Sequence, residues 1–451
     1  MRYYIDLFGC AKNQVDAETM MGFLGNTGWE KTEEADEADL IIVNSCGFIE
    51  SAKKESINAV LGWRKFYPEK KILLSGCLAQ RYAAELSQSL PEADLLFGNT
   101  DLEKIGEAVS HLMHTEENAA SVHSGFSEGE ASPGFVRPAE DSGLYRPGER
   151  PLLSFPGSAY VKISEGCNNR CSFCAIPLIR GPLKCRSIPD ITEECRELLD
   201  RGIKEFCLIG QDLGSFTAAG AALPVLLEKL SDLPGDFWVR LLYIHPDHFP
   251  VKILDLMERD PRFLPYFDLP FQHASAGILQ SMNRRGNAAS YLGLVDSIRT
   301  RLPAAVIRST FLLGFPGESE KDFETLLRFQ EKAELDWLGC FTWSREEDTP
   351  AFSMRGRVAK KLALERKRII GEKQIPITER RMDRFAGQEL TVLVEEALEG
   401  DGEDLYLGRS YAQAPEVDGA MVISTGKILR SGSFVRGRVY GRAGFDLEIR
   451  V

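Results

Sequence analysis

Short apolar runs alternate with helical periodicities along most of the chain. Tyr3 to Phe8, Leu40 to Asn44 and Lys71 to Ser75 predict strands, and Asp16 to Asn26 and Glu50 to Phe66 predict helices between them. That alternation belongs to a parallel sheet with helical crossovers, so residues 1–113 read as an open parallel α/β domain. A longer series starts at Ser158. Strands are expected at Ala159 to Ser164, Glu205 to Ile209, Trp238 to Tyr243, Tyr266 to Leu269, Val306 to Leu313 and Leu338 to Trp343. Helical patterns at Thr192 to Arg201, Leu223 to Leu230, Val251 to Arg259, Ala289 to Arg301 and Ser319 to Glu334 separate most of them. Residues 153–383 therefore predict a partial (β/α)6 barrel. From 384 to 451 the pattern shortens to strands at Glu389 to Glu395, Asp404 to Arg409, Ala420 to Ile423 and Ser433 to Tyr440, as in a small all-β barrel. Between the two α/β regions, glycine, proline, serine and acidic residues crowd Glu116 to Pro151. Residues 114–152 thus read as a mobile linker or an inserted flap.

The first chemical signal is a loop after the first barrel strand, where Cys167, Cys171 and Cys174 form a CxxxCxxC set. No histidine or fourth cysteine is near enough to complete a local tetrahedral site, which argues against a zinc knot. Three thiolates suit an iron–sulfur cluster with one open iron, and an open iron binds a substrate or cofactor directly where a four-thiolate cluster carries electrons.

Composition narrows the setting. Apolar residues make up 43% and charged residues 27%, and the net charge is −13. The whole chain therefore offers nucleic acid no electrostatic attraction, and a basic partner suits it better. No export signal is apparent at the start, no window approaches the ~20 apolar residues of a membrane span, and ten cysteines point to a reducing cytoplasm in which thiolates are free to bind metal.

Three further cysteines share one context. Cys10, Cys46 and Cys77 each stand just past the carboxyl end of a predicted N-terminal strand, in Phe8-Gly9-Cys10, Asn44-Ser45-Cys46 and Ser75-Gly76-Cys77. Loops at those ends gather along one edge of an open parallel sheet, so the three thiols are expected to converge on a second three-cysteine cluster. Glycines beside them let the backbone approach a bulky inorganic core. Cys185, Cys195, Cys207 and Cys340 share no such context and read as non-ligand thiols.

Barrel enzymes place their chemistry in the loops after the strands. Here those loops carry the CxxxCxxC set, then Gln211 and Asp212, His245, Gln272 and His273, Gly314 to Glu318, and Ser344 to Glu346. Phe173 either packs or contacts an adenine ring. The turn Gly314-Phe315-Pro316-Gly317-Glu318 either admits a nucleoside or caps the following helix. Phe173, Gln211, Gly314 and Pro316 are the candidate cofactor contacts. His245 and His273 receive no catalytic role, since structural hydrogen bonding is the commoner fate of a strand-end histidine.

The CxxxCxΦC loop resembles the signature of radical S-adenosylmethionine enzymes, and the added cysteines narrow the resemblance to the methylthiotransferases. Gly9-Cys10-Ala11-Lys12-Asn13-Gln14-Val15-Asp16, Val43-Asn44-Ser45-Cys46-Gly47-Phe48-Ile49 and the run from Phe267 to Arg285 resemble the RimO-type branch. That branch modifies the twelfth small-subunit ribosomal protein. Ser45 stands where a threonine is usual, and Cys185 where the family tends to have serine or arginine. The C-terminal region resembles a TRAM domain.

The resemblance implies two 4Fe-4S clusters and S-adenosylmethionine. Cys167, Cys171 and Cys174 would support formation of a 5′-deoxyadenosyl radical that abstracts hydrogen from the β-carbon of an aspartate. Cys10, Cys46 and Cys77 would support delivery of the thiomethyl group. Residues 384–451 contain eight Lys/Arg and eleven Asp/Glu, a net of −3, which favours docking onto a basic ribosomal protein. An electron donor such as flavodoxin or ferredoxin, a monomeric state and a cytoplasmic location complete the expectation. The alternatives are a transfer-RNA adenosine methylthiotransferase and a non-catalytic iron–sulfur or zinc protein that binds RNA or relays electrons.

Overall fold

The computed structural model describes residues 1–114, 135–141, 143–144, 146, 148–398 and 404–451. The chain divides into two compact units. One comprises Met1–Leu153, Ser164–Arg170 and Cys174–Lys184; the other comprises Ser154–Ile163, Cys171–Phe173 and Cys185–Val451.

In the first unit, β1 (Arg2–Leu7), β2 (Glu30–Lys31), β3 (Leu40–Ser45), β4 (Lys71–Gly76) and β5 (Leu95–Phe97) form a parallel sheet of order β2-β1-β3-β4-β5. Apolar side chains fill both faces. Tyr3, Ile42, Leu73 and Phe97 pack on one side with Met20, Leu24 and Val109, and Ile41, Val43, Ile72 and Leu74 pack on the other with Val60 and Leu86. The chain order reverses between β1 and β3, so the loops after these strands frame a crevice at the carboxyl edge.

Helix α1 (Ala11–Asn26) starts five residues before the apolar pattern predicts, directly after Cys10. Its first turns bury Lys12, Asn13, Gln14, Asp16, Glu18 and Thr19, so polar groups occupy positions where hydrophobic periodicity is sought. Helix α2 (Glu50–Phe66) follows Cys46 with the predicted limits, and the short α3 (Cys77–Arg81) begins at Cys77 itself.

Much of the expected linker, including 115–134, lies outside the described residues. The described part is anchored to the N-terminal domain. Val136 is buried in one face of the core and Phe135 packs against the other. The Phe135 carbonyl accepts from the Gly98 amide at 2.8 Å, Gln80 Nε2 donates to the Arg137 carbonyl at 2.7 Å, and Glu18 pairs with Arg150 and accepts from the Leu153 amide. Few apolar anchors suffice because polar groups of the domain take up the strap's backbone.

In the second unit, β6 (Ser158–Lys162), β7 (Glu205–Ile209), β8 (Trp238–Leu241), β9 (Phe263–Asp268), β10 (Val306–Leu313) and β11 (Trp337–Thr342) form an open, all-parallel sheet in spatial order β11-β10-β9-β8-β7-β6. Five helices, Ile188–Asp200, Leu223–Ser231, Ile253–Arg259, Ala288–Arg301 and Glu320–Ala333, lie between successive strands in the chain. The 24-residue helix here called α5 (Lys360–Asp383) has no counterpart in the sequence pattern. Its inward stripe mixes Ala363, Ile370 and Ile377 with Arg366, Gln374 and Thr378. Gln374 Nε2 donates to the Leu335 carbonyl at 2.8 Å and Thr378 Oγ1 to the Asp336 carbonyl at 3.0 Å. Between α4 (Ile176–Arg180), which belongs to the first unit, and β7 the chain contributes the first of those five helices.

The C-terminal strands β12 (Glu389–Leu398), β13 (Asp404–Arg409), β14 (Met421–Thr425), β15 (Phe434–Ala443) and β16 (Asp446–Arg450) close into a barrel of order β12-β13-β14-β16-β15. Its anchor on the parallel sheet is ionic and buried. Glu205, the first residue of β7, accepts from Arg240 Nε at 2.8 Å and from Arg409 Nη2 at 2.7 Å. Arg240 also donates to the carbonyls of Ser410 and Tyr411 at 3.1 and 2.9 Å. Trp337 Nε1 donates to the Ala412 carbonyl at 2.8 Å, and Tyr266 Oη to Asp418. Glu205 and Trp337 are the first residues of their strands, so the small barrel sits at the strands' amino ends. Among the described residues no helix is long and apolar enough to cross a membrane.

Candidate active site

Cys46 and Cys77 immediately follow β3 and β4, and Cys10 lies three residues beyond β1. Their loops are in close register. A Cβ added to Gly9 would come within 3.2 Å of the Cys46 Cβ, and one added to Gly47 within 2.6 Å of the Cys77 carbonyl oxygen. Cys10 is exposed, Cys46 half-buried and Cys77 buried. Burial raises the Cys46 thiol and pushes Cys77 up to about 12, so thiolates here need a metal to replace the proton.

Asn13 joins the three loops. Its Nδ2 donates to the carbonyls of Phe8 at 3.0 Å and Ser45 at 2.8 Å, its own carbonyl accepts from Asn44 Nδ2 at 2.7 Å, and Cys77 Sγ lies 3.2 Å from its Oδ1. Asn99 Nδ2 approaches Cys77 Sγ at 3.7 Å.

These residues fit an iron–sulfur cube. Three thiols come from adjacent strand ends, and the glycines beside them have no room for a side chain of their own. Among the described residues no three His, Cys, Asp or Glu groups are arranged to hold a single metal ion. A cube takes its thiolates on separate irons and does not require that convergence. Alanine at Gly47 is expected to drive a methyl into the Cys77 backbone, to destabilise the domain by about 1–3 kcal/mol and to lower bound iron by about half relative to the parent, as loss of one of two clusters would. Iron assay and urea denaturation measure both effects.

The CxxxCxxC segment follows β6, and its three cysteines are partly buried. Gly166, at φ +72°, permits a turn that a side chain would block, since a Cβ there would meet the Pro182 carbonyl at 2.1 Å. The Cys167 amide donates to the Gly181 carbonyl at 3.1 Å. Within the second unit, the Ser172 amide donates to the Met282 carbonyl at 3.1 Å and Ser172 Oγ to the Ser281 carbonyl at 2.7 Å, which fixes the position of half-buried Phe173.

Gln211 is half-buried at the end of β7. Beside it, Asp212 accepts from the amides of Gly214 and His245, both at 3.0 Å, and from Ser215 Oγ at 2.6 Å, and pairs with His248 Nδ1 at 3.0 Å. Gly314 and Pro316 are buried. The amides of Gly314 and Phe315 donate to Glu318 Oε2 at 2.7 and 3.3 Å, and Arg366 holds the other oxygen at 2.6 Å. The following helix takes its cap from Ser319 and Asp322. This turn is therefore closed on an internal carboxylate, and neither of its amides is spare for the helix end.

Burial drives His245 and His273 down to about 4. Each accepts a backbone N–H on Nδ1, from Asp247 at 3.2 Å and Ser275 at 2.9 Å. Both are braces of their loops. Cys195 and Cys207 are fully buried and Cys185 accepts from the Thr217 amide at 3.4 Å, all away from the cysteine sets in the sequence.

Sequence reasoning missed Arg180, which lies fully buried among Asp16, Glu165, Asn13 and Cys77. The available signal was Asp16 and Asn13 themselves, two polar residues shortly beyond Cys10 on a helix whose start offers no apolar stripe.

A carboxyl-edge cysteine loop on a six-stranded parallel sheet, joined to a second cysteine-bearing α/β domain and a closed β-barrel, defines a radical S-adenosylmethionine enzyme of compound architecture. Three family models match: uncharacterized protein family UPF0004 over residues 2–98, the radical SAM superfamily over 161–329 and the TRAM domain over 386–451. The chain is 46% identical to the ribosomal protein uS12 methylthiotransferase RimO of Treponema denticola, over 98% of this chain and 99% of that one. It is 37% identical to that of Natranaerobius thermophilus over 99% and 98%, and 37% identical to that of Thermotoga maritima over 100% and 96%. Among solved structures, the radical S-adenosylmethionine methyltransferase TsrM from Kitasatospora setae shares the fold, with a TM-score of 0.55 at 13% identity over 89% of this chain and 79% of that one. The chain belongs to the RimO family of ribosomal protein uS12 methylthiotransferases.

Proposed function

We propose that this enzyme replaces a hydrogen on the β-carbon of an aspartate in ribosomal protein uS12 with a methylthio group. The observation that carries the reading is the pair of cysteine sets. Cys167, Cys171 and Cys174 lie in one loop after β6, and Cys10, Cys46 and Cys77 lie at three neighbouring strand ends of another sheet. Each set would hold a 4Fe-4S cluster by three thiolates and leave one iron open. When bound, the clusters and S-adenosylmethionine supply one-electron chemistry, the methyl group and the means to break an unactivated C–H bond.

The protein's own contribution is positional. Asn13 and the glycines at 9, 47 and 76 fix the spacing of the N-terminal thiols, while Ser172 and Gly166 set the loop that carries the others. Phe173, Gln211, Gly314 and Pro316 are the contacts proposed for S-adenosylmethionine. The reaction requires the protein to hold the β-carbon in reach and to exclude competing hydrogen donors.

The partner is a basic ribosomal protein, favoured by the net charge of −13. The TRAM barrel is the proposed dock. Its charge is uneven, because β15 presents Arg436 and Arg438 to solvent and Arg450 stands opposite Arg438 on β16. The acidic contact therefore falls on exposed residues such as Glu396 and Glu416. A low-potential carrier such as flavodoxin or ferredoxin would supply the electron to a monomeric, cytoplasmic enzyme.

The test is mass spectrometry of uS12 after reaction in anaerobic conditions. A gain of about 46 Da on an aspartate peptide, SCH3 in place of H, is the expected result. The same gain on transfer-RNA adenosine alone would overturn the choice of substrate. Iron near about eight atoms per chain separates this reading from a one-cluster or zinc protein.

A further inference from the structure

Arg180 is the last residue of α4, the short helix that follows the CxxxCxxC loop, and its side chain runs into the N-terminal domain's cysteine edge. Its hydrogen-bond partners among the described residues lie within the first unit. Nη1 donates to both oxygens of Glu165 at 3.0 Å. Nη2 faces Asp16 Oδ2 at 2.9 Å, Asn13 Oδ1 at 2.7 Å and Cys77 Sγ at 3.2 Å. The side chains of Arg180 and Asp16 are each 2% exposed and that of Glu165 4%.

Two buried carboxylates already offset this one guanidinium, so the further contact of Nη2 with the Cys77 sulfur is not needed for neutrality. As a metal ligand Cys77 has no proton, and its sulfur becomes an acceptor only. Arg180 is then the charged donor already aimed at it, with Asn99 the weaker neighbour. Charge and N–H donation at a cluster sulfur favour the reduced, more negative state and raise the reduction potential. The planar fork, braced by Glu165 and Asp16, performs this with little loss of order, which a lysine ammonium could not reproduce.

We propose that Arg180 is a positioning residue for the N-terminal cluster: from the helix beyond the CxxxCxxC loop it holds Cys77 by an N–H···S hydrogen bond and sets that cluster's reduction potential. The inference rests on the assignment of Cys10, Cys46 and Cys77 as cluster ligands. Its consequence is that order in the segment after the radical-forming loop is felt at the second cluster through one side chain.

The experiment uses the full chain with Cys167, Cys171 and Cys174 all replaced by alanine, grown with guanidino-15N arginine and loaded anaerobically with iron and sulfide. Pulsed electron–nuclear double resonance of the reduced cluster is expected to show a 15N coupling, which Arg180→Lys removes. In a redox titration followed by electron paramagnetic resonance, Arg180→Gln shifts the midpoint to a more negative potential, and Arg180→Lys, which keeps charge without the fork, shifts it less. A loaded cluster with neither coupling nor shift overturns the inference alone. A chain that takes up no iron overturns the ligand assignment and the inference together. The coupling is read in protein that retains Arg180, so it decides the matter even where the substituted chains do not fold.

Discussion

Alanine at Cys10, Cys46 and Cys77 together is expected to leave reductive cleavage of S-adenosylmethionine measurable while methylthio product falls below detection. Alanine at Cys167, Cys171 and Cys174 is expected to abolish both. The asymmetry follows from placement. The CxxxCxxC cysteines follow β6 on the six-stranded sheet, whose later loops carry Phe173's neighbours and Gln211, whereas the other three belong to a sheet with its own core. Each set loses its iron without requiring the other sheet to unfold. 5′-Deoxyadenosine measured by chromatography and thiomethyl peptide measured by mass spectrometry read the two activities separately. Methylthio product from the Cys10/Cys46/Cys77 variant would end the division of labour.

The second large effect is structural. Glu205→Ala is expected to destabilise the second unit by about 3–5 kcal/mol, because it strands two buried guanidiniums. Arg240 keeps the carbonyls of Ser410 and Tyr411, and Arg409 keeps Glu395, but neither replaces the anion between them. Urea denaturation measures the loss, and limited proteolysis is expected to release the C-terminal barrel. Acid separates the variant from the parent. Burial alone would raise the Glu205 carboxyl, but Arg409 and Arg240 outweigh it and lower it from 4.5 to about 2. A depressed folded-state value means that the contribution is whole above the ordinary carboxylate range and disappears as pH falls through about 2. The parent therefore loses stability between pH 4.5 and 2 along a slope that Glu205→Ala lacks.

Those two sites differ in how far the sequence announced them. The strand-end placement of Cys10, Cys46 and Cys77 was legible because a strand pattern is local, and each cysteine stands two residues past a predicted strand. The parallel sheets were legible for the same reason, with β7 and β10 matching their apolar runs residue for residue. Polar groups that act across long separations left no local trace. Glu205 meets Arg409 across 204 residues and Arg180 meets Asn13 across 167. Helix α5 leaves no apolar periodicity because its inward stripe includes Arg366, Gln374 and Thr378, and α1 begins before its apolar pattern because its first buried turns are polar. In each case hydrogen bonding to specific partners replaced hydrophobic burial, and periodicity reports only the latter.

The TRAM barrel is seated where the parallel strands begin, whereas the cysteine loop emerges where β6 ends. Strands of four to eight residues cover roughly 13–26 Å at about 3.3 Å per residue. On the docking proposed for the TRAM barrel, a client would have to bridge that length, which a short excised peptide could not do. On that docking, substrate choice would depend on reach, and intact uS12 would be modified where its excised aspartate peptide is not.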